Sequence, residues 1–401
     1  MTPKLRLKSK TVEFLHASQL NGNWQDIEPQ ASKGASPEEQ REAGKSAEAA
    51  RRQLNEFLQS ILSTPNLIVL AGSGSSLGKA GGPSMKDLWE GARKLPGFEE
   101  VVATVKHRSG NEWIEDLLSR CRRAQDFIEG SKGKQLTDFL SESEKMICKA
   151  CSEFLPRANL AGHHTFLRRM ARRRHRAPRL KLFTTNYDLC FEKAAGELGI
   201  ILIDGFSFSQ PRRFDPRFFN YDVVRRAKTA DESNDFVEGV VQIFKLHGSV
   251  DWDDTEQGII QTASPEKPCL IYPTSMKYEK SYSQPHLELM SQFQTALREP
   301  NTCLVTIGFG FNDNHLSAPI MAAVNSNPSF KLLVVDPAAK SKSGAGAGYL
   351  SELRDKISTG EPDIMLLNAG FDRFSELIPH LRALSPAERI EQSVREIAGR
   401  G

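Results

Sequence analysis

No stretch of this sequence is apolar for long enough to cross a bilayer; the most intense run, Asn66 to Ala71, is far too short. Behind the basic opening residues Lys4, Arg6, Lys8 and Lys10 there is no apolar core, so no secretory signal is expected and the cytoplasm is the expected compartment. Cysteine is scarce. Six in 401 residues are too few and too scattered for a disulfide framework, and a reducing compartment would keep them as thiols. Charge of one sign is also lacking: 53 Lys and Arg face 50 Asp and Glu, a net +3, so nucleic acid would have to be met through a local patch or a partner. One such patch exists, made of Arg168, Arg169, Arg172, Arg173, Arg174, Arg176, Arg179 and Lys181. It reads as a solvated helix face, as an oligomer or partner contact or, last, as a DNA contact. What is present, 39% apolar residues with 22 Phe, suits a soluble chain with a sizeable buried core.

Residues 30–51 are rich in Glu, Ala, Lys, Ser and Gly and read as a mobile arm running into a helix. Leu54, Phe57, Leu58, Ile61 and Leu62 form one apolar stripe, and Pro65 stops it, so residues 1–63 are expected to be an N-terminal arm and helix. Leu67 to Leu70, followed by Gly72, predicts a strand buried on both faces, and the helical pattern from Met85 runs through Leu88, Trp89 and Ala92. Residues 97–179 carry no strand signal and read as a helical insertion. Strand-like runs then return at Leu180 to Phe183, Ile200 to Ile203, Val240 to Leu246, Leu270 to Tyr272, Cys303 to Ile307 and Leu332 to Val335. Helical patterns at Asp188 to Leu198, Pro285 to Leu297 and Asn314 to Val324 separate several of them. Such alternation predicts an α/β fold, a doubly wound Rossmann-like parallel sheet, over residues 64–384. Ile364 to Leu367 and Phe374 to Leu384 would close it, leaving a polar C-terminal helix over residues 385–401 as a candidate oligomer contact.

Parallel sheets place ligands beyond the carboxyl ends of their strands, so the residues there carry the functional reading. After the first strand stands Ala71-Gly72-Ser73-Gly74-Ser75-Ser76, whose glycines let a backbone approach phosphate while the following helix offers N–H groups. The dehydrogenase fingerprint is excluded because Leu77 stands where a third glycine belongs, and the P-loop because Gly78-Lys79 is out of register and followed by Ala80. Thr184-Thr185-Asn186-Tyr187-Asp188 follows the next strand, with Asp188 a candidate helix cap. His247-Gly248-Ser249 follows another, its imidazole as easily structural as catalytic. Gly308-Phe309-Gly310-Phe311-Asn312-Asp313 follows a fourth, and Asp336 before Pro337 either accepts from a ribose or caps a turn.

This order of a glycine–serine turn, Thr-x-Asn-x-Asp, Lys-Leu-His-Gly-Ser and a glycine loop resembles the sirtuin NAD-binding fold from about Asn66 to Pro337. More narrowly, Phe183 to Asp188, Lys245 to Trp252 and Ile307 to Asp313 resemble bacterial sirtuin-like NAD⁺ hydrolases of anti-phage defence, in particular the sirtuin-like subunit encoded beside a hexameric HerA-type ATPase. The resemblance implies NAD⁺ as substrate, a homo-oligomeric ring and a HerA-type partner. It also implies catalytic roles for Asn186 and His247, with Ala71 to Ser76, Thr185, Asp188, Gly308, Phe309, Gly310, Asn312 and Asp336 around the nucleotide. Deacylating sirtuins hold a structural zinc on two CxxC pairs; here only Cys148-x-x-Cys151 is present, too few ligands, so no metal is assigned. Where deacylases carry a Phe-Gly-Glu segment, Ile271-Tyr272-Pro273-Thr274 and Tyr278 stand instead, which puts protein deacylation in doubt; an NAD⁺-dependent deacylase and a non-enzymatic nucleotide-binding scaffold subunit stay open as the alternatives to hydrolysis.

Overall fold

The computed structural model describes residues 12–17, 23–29, 36–107, 113–172, 177–227, 235–271, 284–341 and 346–381. The expected C-terminal helix over 385–401, the segment Tyr272 to Thr274 with Tyr278, and Arg173, Arg174 and Arg176 of the basic patch lie outside them.

A nine-stranded sheet organises the chain. In spatial order its strands are Gln25–Asp26, Glu13–His16, Ile364–Asn368, Lys331–Val335, Thr302–Ile307, Asn66–Ala71, Leu180–Thr184, Val240–Lys245 and Ile201–Ile203. From Ile364–Asn368 to Ile201–Ile203 every neighbour is parallel, while Glu13–His16 and Gln25–Asp26 add an antiparallel edge. The parallel strands are apolar on both faces because helices cover both. Leu67, Val69 and Ala71 face one core with Leu54, Phe166 and Phe374, whereas Ile68 and Leu70 face a second with Phe293, Leu316 and Leu353. Successive strands first step away from Asn66–Ala71 on one side and then, from Thr302–Ile307, on the other, so the winding reverses between these two neighbours.

Three expectations need correction. Residues 13–16 and 25–26, read as part of an N-terminal arm ahead of the sheet, are strands within it. Residues 37–51 are not an arm: the helix runs Pro37–Leu62 and begins in a capping box, Ser36 Oγ accepting from Glu39 N while the Glu39 carboxylate accepts from Ser36 N. The polarity of that stretch reflects exposure, since Ala47 and Ala50 are its buried residues there. A three-stranded antiparallel sheet, Gly258–Gln261, Gly248–Thr255 and Pro268–Leu270, grows directly from His247; its first two strands were unforeseen, and the run at Leu270, expected in the parallel sheet, belongs to this one instead. Alternation of Val250 and Trp252, both buried, with Asp251 and Asp253 marks the longest of them.

Helices Met85–Ala92, Phe98–Thr104, Ile114–Gln125 and Gly130–Glu153 close around a core of their own, with Trp89, Leu117, Phe139 and Ile147, that also takes in Val250 and Leu270. The next helix, Ala161–Met170, packs instead on the main sheet through Phe166, Leu167 and Met170. Among the described residues no helix is long and apolar enough to cross a membrane. The basic patch is partly consumed within the fold: Arg169 donates to the carbonyls of Glu376 and Ile378, Arg179 grips Asp222 and burial lowers the pKa of Lys181.

His163, on Ala161–Met170, is 1% exposed and sits edge-on to Phe191 and Phe371 with neither ring nitrogen hydrogen-bonded. Burial depresses its pKa to about 4, below the ~6.5 of an unfolded histidine. The unfolded chain then binds more protons between those values, so stability is lost as pH falls from ~6.5 toward 4. The full loss is about 3 kcal/mol. His163→Leu should flatten that acid dependence in urea titrations followed by circular dichroism; an unchanged slope would show that other groups govern it.

Candidate functional site

Two loops meet where the winding reverses. Gly74 N donates to Gly308 O at 3.0 Å, and a Cβ at Gly74 would fall 2.5 Å from Gly308 Cα. Gly308 itself takes φ +56°, and a Cβ there would lie 2.4 Å from Gly74 Cα. The space these glycines leave is thus filled by each other's backbone. The amides expected to face a diphosphate are likewise engaged: Gly74 on Gly308 O, Ser75 on Gly72 O, and both Ser76 and Leu77 on Ser73 O. Phe311, at φ +55°, takes a left-handed conformation that costs a non-glycine residue about 1 kcal/mol, and its buried ring packs on Phe309.

Beside these loops opens a cleft of about 1010 Å³, its open mouth included. Ser73, Ser76, Thr185, Asn186, Asp188, His247, Phe309 and Asn312 line it, eight of the residues singled out from the sequence. The others support it from behind. Ala71 is fully buried at its strand end and accepts from Thr185 N. Ser75 accepts from Asn186, and Gly72, Gly308 and Gly310 shape the loops. Asp336 behaves as the turn residue: its carboxylate accepts from Ala338 N at 2.7 Å. Burial raises its pKa although the amides of Ala338 and Gly310 point at it.

Asn186 and His247 lie deep, 7% and 4% exposed. The orientation of Asn186 follows from its neighbours. Asp188, a carboxylate, can only accept, so Ser76 Oγ spends its proton on Asp188 Oδ2 at 2.8 Å. Ser75 Oγ likewise donates to Gly72 O at 2.8 Å. Both hydroxyl oxygens therefore accept from Asn186 Nδ2, at 2.9 and 3.1 Å, which leaves Oδ1 as the acceptor available to a ligand. Asp188 Oδ1 also accepts from Cys190 N at 3.0 Å, two residues on; the N-cap of the helix Cys190–Leu198 is Leu189, so Asp188 is not the expected helix cap but a turn residue and orienting group together.

Sequence reading missed three contributions. Met85, Leu88 and Trp113 of the helical segment give the cleft an apolar wall, visible only once that segment folds over the sheet. His315 places Nε2 3.2 Å from His247 Nε2, and Asp313 lies 3.9 Å from His247 Nε2. An Asp-x-His directly after a glycine loop at a strand's end was the available signal. Lys245, of the Lys-Leu-His-Gly-Ser run, is buried and donates to Asp188 O and, at 2.9 Å, to Glu192 Oε1. Burial alone would lower its pKa, but Glu192, Asp251 and Asp188 raise it, so it stays charged. Cys151, at the cleft wall, is pushed up to about 12 by burial, and Cys148 is raised for the same reason, which leaves both as thiols.

Residues 180–351 match the family described as SIR2-like domain. The matched stretch contains Asn186, His247 and the Gly308 loop; the strand Asn66–Ala71 and its Gly72–Ser76 turn lie before it and reach the same cleft through the sheet. Over that stretch the chain is similar to SIR2-like domains, in keeping with its largely parallel central sheet. No curated protein matches the chain.

Lys245→Met is expected to cost about 3 kcal/mol of stability, because Glu192, whose side chain is 21% exposed, is left mostly buried without its partner. Adding Glu192→Leu should recover part of it. Urea titration of both variants checks this, and a single-variant loss below about 1 kcal/mol would show the pair to be incidental.

Proposed function

We propose that the chain binds NAD⁺ in this cleft and hydrolyses its nicotinamide–ribose bond, giving nicotinamide, ADP-ribose and a proton. The observation that carries the reading is the convergence of Asn186 and His247, from two strand ends, on one cleft beside the serine turn at the sheet's point of reversal. The similarity to SIR2-like domains supports NAD⁺ as the nucleotide.

Nicotinamide departs as a neutral molecule from a cationic ring, so little acid catalysis is needed. The protein must hold the ribose in a reactive pose and present a nucleophile to its anomeric carbon. Asn186 Oδ1 is suited to accept from the attacking water or a ribose hydroxyl, and His247 to take the proton as the new C–O bond forms. Ser73 and Ser76 would face the diphosphate, with Phe309 and Asn312 on the adenosine half. The apolar wall of Met85, Leu88 and Trp113 would keep bulk water from the reacting carbon.

From the narrower motif resemblance at Phe183 to Asp188, Lys245 to Trp252 and Ile307 to Asp313, we propose that the chain belongs to an anti-phage defence complex in which it forms a ring with a HerA-type ATPase. The need is physical: a constantly active hydrolase of an essential cofactor would harm its own cell, so control would come from assembly. Rings repeat one heterologous contact, and exposed Arg168 of the basic patch is a candidate member of it.

Incubation of NAD⁺ with pure protein, followed by mass spectrometry, should show nicotinamide and ADP-ribose in equal amounts, with or without a chelator. Product appearing only with an acetylated peptide, as O-acetyl-ADP-ribose, would replace hydrolysis by deacylation; no nicotinamide under any condition, the ATPase included, would remove the enzyme reading. His247→Gln and Asn186→Ala should each lower turnover by ~10²–10⁴ while the melting temperature stays near wild type. A sharp fall in melting temperature would instead make the residue structural. Light scattering should find an oligomer that Arg168→Glu weakens; a strict monomer whose activity ignores the ATPase would end the assembly proposal.

A further inference from the structure

Two buried imidazoles meet at the back of the cleft. His247 follows the strand Val240–Lys245, and His315 stands in the first turn of the helix Asn314–Ser326. They are 4% and 7% exposed, their ring centroids lie 5.3 Å apart with 23° between planes, and the Nε2 atoms are separated by 3.2 Å. Asp313, the N-cap of that helix, touches both rings: Oδ2 is 3.9 Å from His247 Nε2 and Oδ1 is 3.9 Å from His315 Nδ1.

Two ring nitrogens at this distance share one proton, since two protons would clash and none would set two lone pairs face to face. A neutral pair then has two solutions, one with His247 as donor and one with His315. The carboxylate decides between them. Asp313 stands beside His247 Nε2 and His315 Nδ1, so negative charge favours an N–H at both positions, and only one arrangement has both. His247 then donates through Nε2, His315 accepts at Nε2, and the remaining lone pair of His247 is on Nδ1.

We propose that Asp313 and His315 are positioning residues that hold His247 in its Nε2–H form, making Nδ1 the base, and that His315 shares the positive charge this base acquires. The kinetic part rests on the NAD⁺ hydrolase reading; the tautomer does not. As the water oxygen bonds to the anomeric carbon, the C–N bond breaks with its electron pair staying on the nicotinamide nitrogen, and the water proton passes to His247 Nδ1. The Nε2 proton can then move across to His315 Nε2, which places the imidazolium beside Asp313, and the proton returns to solvent after product release. The other ionisable groups near this pair have different engagements. Asp188 accepts from Ser76 and Cys190, Glu115 stands across the cleft, His286 faces Leu246 O at 3.2 Å behind the strand, and Lys245 pairs with Glu192.

The test is NMR of the ring nitrogens in isotope-labelled full-length protein, the His247 signals being assigned by their loss in His247→Gln. At neutral pH, His247 should show a protonated Nε2 and an unprotonated Nδ1. His315→Phe should abolish that preference, and His315→Gln, whose carbonyl can accept the same proton, should keep it. In nicotinamide-release assays His315→Phe should lower kcat on the order of 10²-fold with KM unchanged and move the acid limb of the pH profile to lower pH. His315→Gln should restore most of that loss. A wild-type His247 protonated on Nδ1 would overturn the proposal without touching NAD⁺ cleavage, as would His315→Phe with wild-type kcat and an unmoved acid limb. Should the protein release no nicotinamide at all, the hydrolase reading fails, and the ring-nitrogen spectrum still decides the tautomer. If His315→Phe does not fold, the wild-type spectrum and His315→Gln decide it alone.

Discussion

Backbone touches backbone where Gly72 and Gly74 of one loop meet Gly308 of another, at the reversal of the sheet's winding. A single methyl group on any of these glycines would drive the loops apart, because the nearest atoms are main chain and cannot rotate away. The contact does more than close the sheet. It sets Ser75 and Ser76 against Asn186, and it carries the chain from Gly308 through the strained Phe311 to Asp313 and His315 beside His247. The cleft therefore inherits its geometry from a packing constraint between two main chains.

From that contact the polarity of the site propagates by elimination. A carboxylate can only accept, so Asp188 fixes the direction of the Ser76 hydroxyl, and Ser76 fixes the Asn186 amide. Lys245, charged and buried, binds the Asp188 carbonyl and Glu192 and so ties the start of the helix Cys190–Leu198 to the adjacent strand. Each of these donors meets an acceptor within the fold. A site of this kind is preorganised, which is what a reaction that depends on holding a ribose in place requires.

The parts of this arrangement legible in the sequence were those that a strand's end exposes. Asn186 and His247 follow runs such as Leu180 to Phe183 and Val240 to Leu246, and in a parallel sheet that position alone puts a residue on the ligand side. What could not be read was which loops touch. The glycines of the first turn signal close approach, but a sequence does not say to what, and the partner proved to be Gly308. The antiparallel strand Gly248–Thr255 left a signal in the alternation of Val250 and Trp252 with aspartates, but one too short and too charged to stand out beside the apolar runs of the parallel sheet. Residues 37–51 misled for a related reason: a helix exposed on most of its surface has the composition of an arm, and only Ser36 with Glu39 marked its start. His315 was hidden because Asn314 to Val324 was read only as a helix between two strands, and its partner lies 68 positions away.

The central claim is that this cleft seats NAD⁺ with its anomeric carbon between Asn186 and His247. A crystal structure of the His247→Gln protein soaked with NAD⁺ tests it most directly. The account requires the nicotinamide ribose against Asn186 Oδ1 and the diphosphate at the Ser73 to Ser76 turn. Dinucleotide bound elsewhere on the protein, or an empty cleft at saturating NAD⁺, would contradict it.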